Sequence, residues 1–521
     1  MRRLRVLLFL SCLLLLSFGV VVHAQDDKTL HIVLNPDMRT SDPHIAYETE
    51  TWPTASLFYV GLVKLKDPST PIPALADKWT VSDDGTIYTF HLRDGIKFSN
   101  GRDITADDIV YSFTRLLDPK TAAPTAFMFQ DIKGAAEFQA GTATSVSGIR
   151  KVDDRTVEFT LVHPVPSIMQ RFALPPGFIV AKEGVEAAGD QFGFKPLGAG
   201  PFMLDSWQSG VMITGKRNPY YYEQGKPYFD AFELDLGVEP SVGILKIESG
   251  EADISLDLVP NADFPRLSAD PALAARLLPS EGFPNTDYMI MNNNKAPFDK
   301  LDVRRAVSMA IDRDHMSQIL NGRATPLAGF LPPGVPGSDP NMKPDPYDPD
   351  QAKQLLAGAG YPNGFSTTLL VNTDPINLSE SQAAIADLSN VGIQVEMTSL
   401  DNAQFLDVLN TKPETLDLVM TSWYMDYQDP SDNWQPLLEC GGSYNWAKYC
   451  NPDLDKIFEQ INLIPLGDDR AKAFADFNAK VAAQVPNAFL VHRVDDYFTS
   501  SRLDIKTDAA VLLNFADATV K

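Results

Sequence analysis

The residues best suited to chemistry lie in one stretch, Ser422-Trp423-Tyr424-Met425-Asp426-Tyr427-Gln428-Asp429-Pro430, with Trp434, Tyr444, Trp446 and Tyr449 close behind. Aromatic walls with one placed carboxylate are what a cleft needs to hold an amine-bearing organic ligand, because the rings set shape and the charge sets orientation. Packing competes as an account of the same rings, since any one of them serves equally well as core. Motifs for covalent chemistry are missing. The histidines after residue 24 are His31, His44, His91, His163, His315 and His492, none in a His-Glu-x-x-His pattern or at a helical ligand spacing. The sequence has no Gly-x-Ser-x-Gly elbow and no phosphate loop, and Gly198-Ala199-Gly200 runs into Pro201, which removes a backbone donor and reads as a turn. No catalytic residue, cofactor or metal ligand is assigned.

Composition narrows the classes. The 521 residues carry 44 Lys+Arg against 68 Asp+Glu, a net charge of −24, with 44% apolar residues. That balance describes a folded chain with a large core and gives no basic face for nucleic acid. The acidity mildly favours cationic ligands, although its usual meaning is a solvated surface. Arg2, Arg3 and Arg5 precede the apolar run Val6 to Val22, and Val22-His23-Ala24 suits a cleavage site. Residues 1–24 therefore read as an export signal, with the mature chain starting near Gln25 in the periplasm or at the cell surface. An uncleaved anchor, or lipidation at Cys12, is the competing account of the same run. The other cysteines, Cys440 and Cys450, are expected to form a disulfide in an oxidising compartment; without a nearby histidine, two thiolates do not complete a metal shell.

The elements that must position the aromatic stretch read as mixed α/β. Leu30 to Leu34 is a short strand; Tyr88, Phe90 and Leu92 alternate with Ile87, Thr89 and His91 between Gly85 and Gly95, as in a half-buried strand. Thr105 caps a helix carrying Ile109, Phe113, Leu116 and Leu117, with Pro119 as its stop. Further strands are read at 156–161 and 231–236. From residue 302 longer helices alternate with strands: one apolar stripe runs from Val303 to Leu320, and Asp348-Pro349 opens a helix that ends at Gly360. Strands follow at 367–371, 393–397 and 416–420, suggesting a second α/β lobe.

Six blocks in order make the chain resemble a known family. They are ADKWTVSDDGTIYTFHLRDGIKFSNGRDITADDIVYSFTR (76–115), GAGPFMLDSWQSG with RNPYYY (198–222), LKIESGEADI (245–254), PFDKLDVRRAVSMAIDRD (297–314), YDPDQAKQLLAGAGYPNGF (347–365) and SWYMDYQDPSD (422–432). The resemblance is to extracytoplasmic solute-binding proteins of the peptide and nickel family, family 5, which feed ATP-driven importers. It implies a bilobal periplasmic-binding-protein-like α/β fold, closing about two hinge strands near Phe283–Met289 and Leu490–Asp496. The implied first lobe combines 25–72, 196–283 and 494–521, with 73–195 as an extra subdomain and 284–493 as the second lobe. It further implies a monomer that captures a peptide or similar small molecule and presents it to membrane permease subunits. In peptide-binding members the Asp of Trp-x-x-Asp-Tyr meets the ligand's α-ammonium group, which points to Asp426. Backbone groups at Tyr424 and Met425 would pair with the peptide as an added strand, and Tyr47 and Thr49 match the opposing segment of the first lobe. Trp423, Tyr427 and Trp446 complete the candidate ligand-binding set. Where some relatives place a ligand-facing ring this chain has Thr125, with Phe127 next. For a ligand carboxylate only Arg323, Lys412 and Arg493 offer themselves. The same scaffold binds oligosaccharides in some members, for which Trp423, Trp434 and Trp446 would be stacking platforms; an extracellular hydrolase is the reading from another class.

Overall fold

The computed structural model describes residues 28–48, 50–280, 284–510 and 512–521. The expected export signal at 1–24, Thr49 and Phe283 lie outside them. The strand Thr29–Leu34 is buried at four of its six positions. It takes the inside of a five-stranded sheet, in the order Ile254–Ser255, Thr29–Leu34, Ala231–Leu236, Met212–Arg217, Phe202–Gln208. It runs parallel to both neighbours, while the remaining pairs are antiparallel.

A second, antiparallel sheet orders Ala76–Val81, Ile87–Leu92, Thr156–Thr160 and Ile149–Asp153. The alternation in Ile87–Leu92 sends Tyr88, Phe90 and Leu92 inward. There Phe90, Phe113, Phe159 and Phe172 meet edge to face, an arrangement the ring quadrupole favours. Helix Ala106–Leu117 begins in a capping box between Thr105 and Asp108, which satisfies two otherwise orphaned N–H groups.

The third sheet has six strands: Ala324–Pro326, Asn487–Arg493, Asn285–Met291, Leu418–Tyr424, Phe365–Asn372 and Ile393–Leu400. Asn285–Met291 is buried at every position, as a central strand covered on both faces must be. Alternation gives each face its own core: Met289, Met291, Val307 and Leu418 on one side, Tyr288, Ile290, Val419, Trp423 and Trp434 on the other. The sheet revises two sequence boundaries. The apolar stripe from Val303 to Leu320 is two helices, Leu301–Ala310 and Arg313–Ile319. Asp312 between them accepts a hydrogen bond from the His315 N–H and starts the second. The strand expected to end at Met420 continues to Tyr424, because Asn285–Met291 pairs with it along its whole length.

The chain passes between the sheets twice, side by side. Leu277–Pro279 pairs antiparallel with Asp496–Phe498, and Asn285–Met291 with Asn487–Arg493. This two-strand crossing joins the lobes of the expected α/β bilobal fold. Among the described residues no helix is long and apolar enough to cross a membrane.

Candidate functional site

Trp423 and Tyr424 end a central strand of the second lobe, and Asp426 follows where that strand leaves the sheet. Asp426 is only 7% exposed. Its Oδ2 accepts a 2.9 Å hydrogen bond from the Tyr47 hydroxyl of the first lobe. Burial pushes the Asp426 carboxyl up to about 7, against the Tyr47 bond, which pulls it down. Among the described residues no Lys or Arg forms an ion pair with it.

Asp432 braces this arrangement from behind. Its Oδ2 accepts from the Asp426 N–H at 2.8 Å and from the Trp423 indole N–H at 3.1 Å, so one carboxylate oxygen sets both the backbone at Asp426 and the plane of Trp423. Burial, and then the charge of Asp426, raise Asp432 well above the usual carboxylate range. The third acid of the motif has a separate task. Asp429 is buried in an ion pair with Arg470 at 2.9 Å and accepts from Ser431, anchoring the turn to helix Asp468–Ala482.

Tyr444 completes the aromatic wall. It sits in the loop closed by the Cys440–Cys450 disulfide, with its ring 6.1 Å from Tyr47, 5.4 Å from Trp423, 5.5 Å from Trp446 and 6.1 Å from Phe127. Its hydroxyl reaches the Pro124 carbonyl of the first lobe at 3.5 Å. A second bridge runs beside it: the Arg171 guanidinium, in the first lobe, lies 4.8 Å from the Tyr427 ring centroid and donates to Gln435 of the second lobe. The lobes are therefore in contact at Asp426 itself and through the residues around it.

The profile of the bacterial extracellular solute-binding proteins, family 5, matches residues 70–445. The chain belongs to this family. It is 29% identical to di/tripeptide-binding protein 2 of Pseudomonas aeruginosa, over 92% of both chains. It is 30% identical to heme-binding protein A of Haemophilus influenzae, over 84% of this chain and 82% of that one. The murein tripeptide binding protein MppA of Escherichia coli superposes with a TM-score of 0.83 at 26% identity, covering 95% of this chain and 99% of that one. Against the unliganded open form of MppA the TM-score falls to 0.72, over 95% and 98%. With the contacts across Asp426, this family 5 chain is in a closed arrangement.

Within that arrangement Tyr47, Trp423 and Asp426 come together, and Tyr427 lies beside them in the first-lobe core. Trp446 is in the same wall, with its indole N–H on Asn410. Met425 is buried and its N–H is taken by the Pro284 carbonyl, so it offers no donor to an added strand. The pairing with Phe365–Asn372 ends at Leu370–Val419. From Met420 to Tyr424 the ladder therefore has a partner on one edge only, among the described residues. Trp434 is not a stacking platform: fully buried, it packs against Phe330, Phe458 and Phe477. Arg493 is occupied by Asp287 and Asp495 at the lobe crossing; Arg323 bonds Val259 and Asn261, and Lys412 is exposed. Sequence reasoning missed Asp432 and Arg171 as site residues and named Tyr444 only among the rings that follow the motif. The three-residue spacing of Asp426, Asp429 and Asp432 hinted at the first, but nothing local distinguishes Arg171.

Proposed function

We propose that this protein is the exported receptor of an ATP-driven importer. It captures short peptides between its lobes and delivers them to the membrane permease, acting as a monomer and without chemistry on its ligand. Residues 1–24 direct export to the periplasm or cell surface. The lobes, divided as 25–72, 196–283 and 494–521 with subdomain 73–195 against 284–493, close about the paired crossing strands. Asp426 receives the peptide's α-ammonium group; Tyr47, Trp423, Tyr427, Tyr444 and Trp446 wall the pocket, and the free edge near Tyr424 pairs with the peptide backbone.

The supporting observation is the Asp426 carboxyl itself. It is buried between the lobes and accepts a hydrogen bond from the Tyr47 hydroxyl, while the Asp426 backbone N–H donates to Asp432; among the described residues no Lys or Arg forms an ion pair with it. A carboxylate withdrawn from water calls for a charged partner, and an ammonium group supplies one. The relatives named for di/tripeptides and for murein tripeptide agree with this ligand class.

The test is a thermal-shift panel on ligand-stripped protein: free-amino peptides of two to six residues, their N-acetylated forms, and oligosaccharides. Binding to the folded state alone at a hundredfold excess over Kd stabilises by about 2.7 kcal/mol. Shifts confined to free-amino peptides support the reading; a shift with sugars and none with peptides overturns it.

A further inference from the structure

Three cations of the second lobe stand together away from the cleft. Arg305, Arg313 and Lys343 line one pocket of about 210 Å³, with Asp345, Asn487 and Phe489 beside them. Among the described residues none of the three cations forms an ion pair. Arg313 is 5% exposed and spends its donors on neutral oxygens. Nε donates to the Phe489 carbonyl at 2.8 Å, Nη1 to the Ser308 and Ile311 carbonyls at 2.9 and 3.4 Å, and Nη2 to the Ser308 hydroxyl at 2.8 Å. Arg305 gives Nη2 to the Ala483 carbonyl at 2.6 Å, and its Nε is buried without a partner. Lys343 is exposed.

Helix ends account for part of this arrangement. Arg313 holds a carbonyl in the last turn of helix Leu301–Ala310, and Arg305 holds the carbonyl that follows helix Asp468–Ala482. A helix C-terminus acts as about half a negative charge. Two such ends and Asp345 therefore offset about two of the three positive charges, which leaves about one uncompensated. In a chain whose net charge is −24, that excess is local to the pocket. Burial pulls the Arg313 guanidinium down to about 10, against the charge of Asp345. It still keeps its proton at neutral pH, and a charge withdrawn from water without a partner is costly; an anion in the pocket removes that cost. The volume limits what can enter: at about 210 Å³ it is smaller than the roughly 300–1,000 Å³ of cavities that enclose drug-sized molecules.

We propose that this pocket is a second binding site, separate from the interlobe cleft, and that it takes a compact oxyanion: a phosphate or carboxylate group on a small solute. Arg305 and Arg313 meet its oxygens through guanidinium N–H groups left without a protein acceptor, and Lys343 adds a point charge at the mouth. None of the lining residues belongs to the set around Asp426. Asn487 and Phe489 come from the crossing strand Asn487–Arg493, so the site lies on the second lobe beside the lobe crossing.

Calorimetric titration of the ligand-stripped full chain with inorganic phosphate, glycerol 3-phosphate and acetate tests this, at an ionic strength held constant with chloride so that screening of surface charge does not change. Saturable binding of at least one probe is expected, in the millimolar range or tighter. The double variant Arg305→Gln, Lys343→Gln changes two side chains that are not part of the buried core, and should weaken that binding at least tenfold while the urea midpoint stays in place. Asp345→Asn should tighten it at least threefold, a gain that a purely structural role for these residues does not produce. Binding of the two phosphates without acetate supports the site with phosphate as its group; binding of acetate as tightly supports it with carboxylates included. Failure of all three probes to saturate overturns the proposal. So does binding that both the double variant and Asp345→Asn leave within twofold of wild type, since the anion then sits elsewhere.

Discussion

Asp426→Asn should weaken peptide binding and stabilise the empty protein at alkaline pH, two effects of opposite sign from one buried carboxyl. In the complex, removing the charge leaves a desolvated ammonium group without its partner, a loss of ~3–5 kcal/mol, or about two to four powers of ten in Kd. In the empty closed form the carboxyl stands at about 7 instead of 3.8, chiefly through burial. That gap corresponds to roughly 4 kcal/mol against holding it ionised, at about 1.4 kcal/mol per tenfold. Opening of the lobes rehydrates the group, so the measured gain will be smaller. Because the folded-state value is raised, the folded protein keeps this proton between pH 3.8 and about 7, while the unfolded chain has released it. The associated stability is fully present below 3.8 and is lost as pH rises through about 7. Thermal melts of both proteins from pH 4 to 8 should show the variant gaining on the wild type across that window. Calorimetry adds the ligand side: since the ammonium group requires the ionised carboxyl, wild-type affinity at pH 5.5 should fall below its alkaline plateau, by up to about thirtyfold if the empty lobes stay closed, and the variant should be flat there. A variant that binds free-amino peptides within threefold of wild type at pH 8 would falsify the pairing.

Tyr47→Phe removes the donor that pulls Asp426 down, so the acid limb of the binding profile should move to higher pH; an unmoved limb would mean that the hydroxyl does not meet the ionised carboxyl. Replacing Cys440 and Cys450 by Ser opens a short loop, and the chain-entropy account gives a loss of about 2.5–3 kcal/mol, to be read as an earlier urea midpoint and weaker binding through Tyr444. Arg470→Ala strands Asp429 in the core, and urea unfolding should reveal a loss of ~3–5 kcal/mol; the Asp429→Ala, Arg470→Ala double variant should recover part of it, and full additivity of the two losses would argue against a coupled pair.

Local patterns were legible wherever a residue's neighbours in sequence determine its state. The alternation in Ile87–Leu92, the capping box at Thr105 and Asp108, and the Asp348 cap ahead of Pro349 appear in the fold because a strand's period and a helix's first turn are set within a few residues. The end of the strand through Trp423 and Tyr424 was misjudged because its length is decided by Asn285–Met291, far away in sequence. The aromatic stretch posed the same problem. Composition treats Trp423 and Trp434 alike, yet Asp432 draws one indole toward the interlobe space while Phe330, Phe458 and Phe477 enclose the other.

The sequence by itself thus determined the family, the bilobal α/β class, the disulfide pair and the acid-and-ring motif, since each is written in residue types at short spacing. Tertiary structure alone decided that Asp426 faces Tyr47 from 379 residues away, that Asp429 belongs to Arg470, and that Arg171 donates to Gln435 across 264 residues. Such contacts depend on how two separately cored lobes meet. The burial that raises Asp426 arises only when they close, because excluding water from between them takes surfaces from both.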